Sequence, residues 1–571
     1  MLDIYIKTAI RKLSARGISL SPINNVLLIN PLQLPSEFYD SEMAEKNRYF
    51  CYPPYGLGIL ASLLKKYGIN VHILDLNYEI LKLNLPSNED IKLVETQLLK
   101  EKLTSFKEIQ LVGISCMFTL THESFKRAIT TLRSLNFNGL IASGGVHVTN
   151  DQLRIKADIP EIDLIFPNES EKTFLEFLLL TNDTEMSEEI NFLDISPHYL
   201  DLPIDDYSNH GEIGAYRFWW KKGTRASTAL SNRGCRAHCT FCSVEGFNGP
   251  GVRSRSIKSV IDEIEKLRDK YFINHIMWLD DDLFYDQKRT VELFNEIIRR
   301  NLKITWDASN GIIASAATDE VISASAESGC IGMHVGIESG NKDILKSIRK
   351  PSGIRHFIDL GERLKKFPQI FSRGFLIIGF PNETIGQIND TISLAKQMNL
   401  DWYTISLLSP LPSTKIYDQM IELGLINDDK IQSKDINYGS MQTGLQKKRE
   451  LLLKNVSAEV MNFTNLDQTI IPSREVLEEI WFDVDYHINY SKISKESDIT
   501  KLNKLQSFLQ DIGNRMTNWN NPLVTHSLKL IHEKLGNEIE VTKYETQTGN
   551  LLKDSLLWKS RFKNIGVHYA T

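Results

Sequence analysis

The chain has 571 residues, 42% of them hydrophobic and 24% charged, with a net charge of -6. That length provides for about three domains with full cores, and the composition is that of an ordinary soluble globular protein. The mildly acidic balance speaks against nucleic-acid binding, six cysteines in so long a chain do not make a disulfide framework, and no apolar run approaches a membrane span.

Residues 1–23 show no signal-peptide core. Ile4 to Leu20 form a basic amphipathic segment with Lys7, Arg11, Lys12 and Arg16. It reads as a helix packed on the adjacent domain; a helix lying on a membrane surface is the alternative. In residues 24–180, short apolar runs alternate with helical patterns. Val26 to Ile29, Val71 to Asp75, Leu111 to Ser115, Leu140 to Ser143 and Leu164 to Phe166 read as buried strands. Gly56 to Lys66, ended by Gly68, and His122 to Leu135 read as helices. This alternation predicts a parallel, doubly wound, Rossmann-like α/β sheet. Residues 181–223 lack periodicity and read as a linker wrapping one domain onto the next.

Residues 224–430 repeat strand and helix six times. The strands are Ser227 to Leu230, His275 to Leu279, Lys303 to Trp306, Gly332 to Ile337, Gly374 to Gly379 and Trp402 to Leu407. Ser256, Asp286 and Asn341 stand where helix N-caps are expected. Six such units predict a partial (β/α)6 barrel with its chemistry at the C-terminal strand ends. Residues 431–571 contain no cysteine, and Glu475 to Tyr490 and Leu502 to Ile512 read as helices. This helical region is expected to cap the site or to bind a partner.

Cys235, Cys239 and Cys242 form a C-x3-C-x2-C pattern directly after the first of these strands. Three thiolates this close suit a cuboidal iron–sulfur cluster with one iron left open for a chelating ligand. A structural zinc site with His238 as fourth ligand is the competing reading, but such sites usually draw on a second, distant pair, and none is present. Cys51, Cys116 and Cys330 stand singly, as reduced thiols of a cytoplasmic protein do.

Other motifs fall at strand ends. Asp280-Asp281-Asp282 places three carboxylates side by side, which is costly unless cations or donors are near. Gly336-Ile337-Glu338-Ser339-Gly340 offers close backbone approach and a carboxylate for hydroxyl groups. Gly374 to Pro381 again brings glycines to a strand end, with Arg373 beside them to reach a carboxylate.

From Thr224 to Tyr417 these segments, in this order and spacing, resemble the radical S-adenosylmethionine (SAM) core. The resemblance implies a [4Fe–4S] cluster on Cys235, Cys239 and Cys242. It implies SAM contacts from Phe241, Asp281, Asp282, Glu338, Arg373 and Gly379. It also implies an electron donor such as flavodoxin or ferredoxin, and cleavage of SAM to a 5′-deoxyadenosyl radical. The first domain resembles the N-terminal domain of cobalamin-binding radical SAM proteins. It does so through Tyr52 to Ala61, Ser115 to Thr119, Gly144 to His147 and Asn168 to Glu171. That resemblance implies cobalamin contacts from Tyr55, Gly56, Ser115, Thr119, Gly144, Gly145, His147 and Glu169. The D-x-H-x-x-G motif that supplies a cobalt ligand in many cobalamin proteins is missing; His122 and His147 are the nearest histidines.

The implied function is a cobalamin-dependent methyltransferase acting on a carbon centre of an unidentified substrate. A cyclising, rearranging or oxidising enzyme of the same architecture is the alternative, and a non-catalytic carrier is a third reading. A methylthiotransferase would need three further cluster cysteines upstream, where only Cys51 and Cys116 lie.

Overall fold

The computed structural model describes residues 10–11, 13, 21–86, 89–106, 108–186, 189–427, 466–514 and 521–569. The segment expected as an N-terminal helix lies largely outside them. Of its described residues, Leu13 is buried in the core beneath the first sheet, and Ile10 packs against that core.

The first sheet has five parallel strands: β1 (Asn25–Asn30), β2 (Asn70–Asp75), β3 (Leu111–Ser115), β4 (Leu140–Gly144) and β5 (Leu164–Phe166). Their spatial order is β2-β1-β3-β4-β5. The order reverses between β1 and β3, so a crevice opens beyond their C-terminal ends, where doubly wound sheets bind ligands. The helix Tyr55–Lys66 buries Leu57, Ala61 and Leu64, one stripe at helical spacing. It ends at Tyr67, and Gly68 then takes a φ of 73° that only glycine adopts freely.

The second sheet has six parallel strands in the order β13-β12-β11-β10-β9-β6. They are β6 (Ala226–Ala229), β9 (His275–Trp278), β10 (Thr305–Ile312), β11 (Cys330–Glu338), β12 (Phe371–Ile378) and β13 (Trp402–Leu407). Between β6 and β9 runs a two-stranded antiparallel hairpin, β7 (Asn232–Cys235) and β8 (Gly251–Ser254). The caps sit where the sequence places them. Ser256, Asp286 and Asn341 each accept a backbone N–H at the start of a helix.

Two details differ from the sequence reading. The cysteine loop does not follow the first strand directly. The chain bends at Leu230 and Ser231 and enters β7 first. Buried Asp280 holds that bend by accepting from Ser231 N (2.9 Å) and Asn232 N (2.6 Å). Strand β10 also runs on to Ile312, through polar Asp307, Ser309 and Asn310. These residues look like a loop in sequence. In the fold Asp307 accepts from His275 (2.9 Å) and Ser309 (2.5 Å), so polar groups satisfy one another inside the barrel.

The C-terminal region covers both ends of the barrel: Leu477, in its first described helix, packs on Gly379 at the strand ends, and the later helices lie at the opposite end. Helix Arg474–Asp485 and the turn Tyr486–Tyr490 run along edge strand β13. Trp481 Nε1 donates to Ile405 O (3.2 Å), and Asn489 pairs with both Tyr403 N and Tyr403 O at 2.8 Å. An edge strand exposes unpaired backbone groups, and side chains here satisfy them. Helices Ile499–Gly513, Pro522–Lys534, Glu538–Lys553 and Leu556–Asn564 share a core with Phe371 and Trp402, the first residues of β12 and β13. That is the side of the barrel away from the strand ends that bear the motifs. The segment 181–223 buries Tyr199, Tyr207 and Tyr216. Its Ser208 accepts from Ala226 N on the other edge strand, while Tyr207 donates to Asp75 in the first sheet (2.8 Å).

Candidate active site

Cys235 ends β7, and a helix, Val244–Asn248, begins just past Cys242. The loop between them is stitched to two later segments: Thr240 N donates to Ile348 O (3.1 Å) and Ile416 N to Thr240 O (3.0 Å). Burial pushes each of the three thiols up to about 11, and they lie close enough to raise one another further. Bound iron reverses that cost, since a metal deprotonates a coordinating thiol outright. Among the described residues no three His, Cys, Asp or Glu side chains converge on a position for a single metal ion. His238 hydrogen-bonds Glu245 at 2.9 Å. With His238 so engaged, the loop fits three thiolates on three different irons of a cluster better than four ligands on one zinc.

The three aspartates after β9 have separate roles. Asp280 is the buried acceptor at the β6–β7 bend. Asp282 is buried in a bidentate pair with Arg236, at 2.6 Å to Nε and 3.0 Å to Nη2. Among the described residues, Asp281 meets only the side-chain amide of Asn248, at 3.3 Å. Burial and then the neighbouring Asp282 raise its pKa to about 6. A carboxylate in that position gains from an ammonium group brought beside it.

Glu338, at the end of β11, adopts a φ of 67° and pairs with buried Lys350 at 2.8 Å. Gly336 leaves room for that lysine, because a Cβ there would lie 2.8 Å from Nζ. At the end of β12, Gly379 has a φ of 89°, and its N–H donates to buried Glu383 at 2.7 Å. Burial lifts the pKa of Glu383 to about 7. Phe241, in the cysteine loop, faces Phe380 with ring centroids 6.2 Å apart. Arg373 is directed elsewhere: it donates to Ala215 O (3.3 Å) and Thr404 (3.1 Å), and its guanidinium stacks on Phe508 of the C-terminal helices.

The first sheet presents a different surface. Ser115 ends β3 and Gly144 ends β4. Gly145 follows with a φ of 102°, and a Cβ there would strike Cys116 O. Past Ser115 the chain exposes Met117 and Phe118, at 43% and 55%, and Thr119 opens a short turn. His147 is buried and accepts or donates across 3.0 Å to His122, which in turn bonds Asp158 at 2.9 Å. Burial, with His122 beside it, lowers the His147 pKa to about 3, so the ring is neutral. Gly56 is exposed with open space at its Cβ position.

Two residues expected at the corrin have protein partners instead. The Tyr55 hydroxyl is buried between Glu263 (3.2 Å) and Arg255 (2.9 Å). Glu169 is gripped by Arg253 at 2.5 and 2.6 Å. Both connect the first domain to the barrel. Sequence reading also missed Arg236, Lys350, Met117 and Phe118. Arg236 and the Met117-Phe118 pair lie inside motifs it did quote but gave no role to, whereas nothing local marks Lys350.

Residues 230–395 match the family model of the Radical SAM superfamily, and residues 46–178 match that of the B12 binding domain. Cytidylyl-2-hydroxyethylphosphonate methyltransferase of Streptomyces wedmorensis is 25% identical over 433 residues, covering 66% of this chain and 80% of its own. Anaerobic magnesium-protoporphyrin IX monomethyl ester cyclase of Rubrivivax gelatinosus is 22% identical over 411 residues, covering 69% and 70%. The structure of the cobalamin-dependent S-adenosylmethionine radical enzyme OxsB, with aqua-cobalamin and S-adenosylmethionine bound, aligns with a TM-score of 0.56 at 14% identity. That alignment spans 95% of this chain and 84% of the other, and it shows a shared fold. The chain thus carries a Radical SAM domain and a B12 binding domain, and these domains imply a [4Fe–4S] cluster, SAM and cobalamin as its cofactors.

Proposed function

We propose that this enzyme is a cobalamin-dependent methyltransferase acting on a carbon centre. The observation that carries the reading is the union, in one chain, of a B12-binding domain and a radical SAM domain joined through Glu169 and Tyr55. When bound, the cluster and SAM supply a 5′-deoxyadenosyl radical, and cobalamin supplies a transferable methyl group.

In this reading residues 24–180 form the cobalamin unit and residues 224–430 the radical unit. Residues 1–23, 181–223 and 431–571 support them. Cys235, Cys239 and Cys242 hold the cluster. Asp281 meets the SAM ammonium, Glu338 and Gly379 offer acceptors and close backbone approach, and Phe241 packs beside them. The corrin lies across Ser115, Thr119, Gly144 and Gly145, with Met117 and Phe118 as apolar contacts. Small residues at these strand ends admit a bulky ring, and buried, neutral His147 supports the loop from below it. An external one-electron donor is required, and a flavodoxin or ferredoxin of the cytosol suits it. No helix among the described residues is long and apolar enough to cross a membrane.

The test uses SAM labelled with deuterium in its methyl group, added anaerobically to reconstituted protein holding reduced cobalamin. Labelled methylcobalamin detected by mass spectrometry supports methyl transfer. Deoxyadenosine with no labelled methylcobalamin favours the cyclising or oxidising reading of the same architecture.

A further inference from the structure

The hairpin β7–β8 contains an arrangement that the folding of a hairpin alone does not explain. Its register sets Arg233 directly opposite Arg253. Two like charges across one strand pair are destabilising unless anions stand between them. Here the anions come from the other domain, from the loop after β5 and the first turn of the helix Glu171–Thr181 that follows it. Glu169 forms a bidentate pair with Arg253 at 2.5 and 2.6 Å and lies 3.4 Å from Arg233. Glu171 pairs with Arg233 at 2.6 Å.

The contacts continue beyond the salt bridge. Arg253 Nη2 also donates to Asn248 O at 2.6 Å. Asn248 Nδ2 reaches Asp281 Oδ2 at 3.3 Å. An unbroken chain, Glu169–Arg253–Asn248–Asp281, thus runs from the strand-end loop of the first sheet to the candidate SAM carboxylate of the second. The same hairpin bears Cys235 at its end, paired in register with Gly251. Gly234 has a φ of 85°, and a Cβ there would strike Gly251 O, so the two strands are held too close for a larger residue.

We propose that Glu169 is a positioning residue: through Arg253 and Asn248 it locks the loop after β5 to Asp281 and so fixes the separation of the corrin from the cluster and its SAM. The inference rests on the site assignments above, though not on methyl transfer as the outcome. A bidentate guanidinium–carboxylate pair constrains angle as well as distance, which suits a device of register more than one of affinity.

Pulsed dipolar electron paramagnetic resonance between the reduced cluster and cob(II)alamin measures that separation in the full-length protein. Wild type is expected to give one narrow distance distribution. Glu169→Gln and Arg253→Gln are each expected to broaden it about twofold, with iron and cobalt contents unchanged. The double variant is expected to be no broader than either single variant, because the two residues act as one unit. Arg253→Lys keeps the charge but loses the fork, and its width is expected to fall between wild type and Arg253→Gln. It also serves as the test if Arg253→Gln does not fold. Unchanged widths in variants that hold both cofactors would overturn the proposal. So would loss of corrin from Glu169→Gln alone, which would make Glu169 a corrin contact. Absence of bound cobalt in corrin-loaded wild type, read by metal analysis, would overturn the cobalamin assignment, and this inference with it.

Discussion

The two parallel sheets end in contrasting chemistry. At the ends of β3 and β4 stand Ser115, Gly144 and Gly145, with Met117 and Phe118 exposed beyond them; the titratable His147 beside them is buried and neutral. At the ends of β9, β11 and β12 stand Asp280 to Asp282, Glu338 and Glu383, several with raised pKa values and most tied to a cation or a backbone N–H. In the proposed reading the first sheet accepts a large ring by shape, and the second places charge around a small zwitterion and a metal cluster. A bulky cofactor is excluded by one added methyl group, whereas a zwitterion is lost with one carboxylate.

That contrast breaks most completely at the cysteines. Replacing Cys235 by Ala is expected to remove the cluster and lower deoxyadenosine formation by about a hundredfold or more, read by iron content and mass spectrometry. Corrin retention should be unchanged, since the other sheet is untouched. Gly145→Ala is the converse experiment. The added Cβ meets Cys116 O at a φ of 102°, so corrin retention should fall about tenfold or more while the cluster still forms.

Smaller effects sharpen the division of labour among the aspartates. Asp281→Asn is expected to weaken SAM binding about tenfold, about 1.4 kcal/mol, with little change in melting temperature. Asp282→Asn should act in the opposite sense. It leaves Arg236 without its buried partner and destabilises the fold by about 3 kcal/mol, visible as a lower melting temperature before any SAM is added.

A pH-dependent effect lies in neither site. Burial raises the pKa of Asp485 to about 7, against a lowering hydrogen bond from Asn489. A folded-state pKa above the ordinary carboxylate value means that the group's stability contribution is present in acid and is lost as pH rises through about 7. Asp485→Asn should therefore melt higher than wild type at about pH 8 and alike only below about pH 4, if the Asn489 bond is kept.

Local patterns in the sequence carried the cluster loop, the strand-end carboxylates and the glycine turns, because each is a short run with its own chemistry. The succession of main strands and helices along the chain was legible for the same reason, since alternating apolar runs and caps such as Ser256 and Asp286 act over a few residues. Which aspartate remains available was not legible. Arg236 selects Asp282 from 46 positions away, and only the fold brings them together. Arg373 looked available beside Gly374, but Phe508 and Thr404 occupy it. The C-terminal helices carry no chemical motif, and their role along β13 rests on backbone groups that no sequence pattern displays.

The central claim is that one chain holds both cofactors, one at each sheet. Metal analysis of anaerobically reconstituted protein after removal of unbound corrin tests it most directly. The account predicts about four irons and about one cobalt per chain, with Cys235→Ala losing only the iron and Gly145→Ala only the cobalt. Iron without cobalt in the wild-type protein would contradict it.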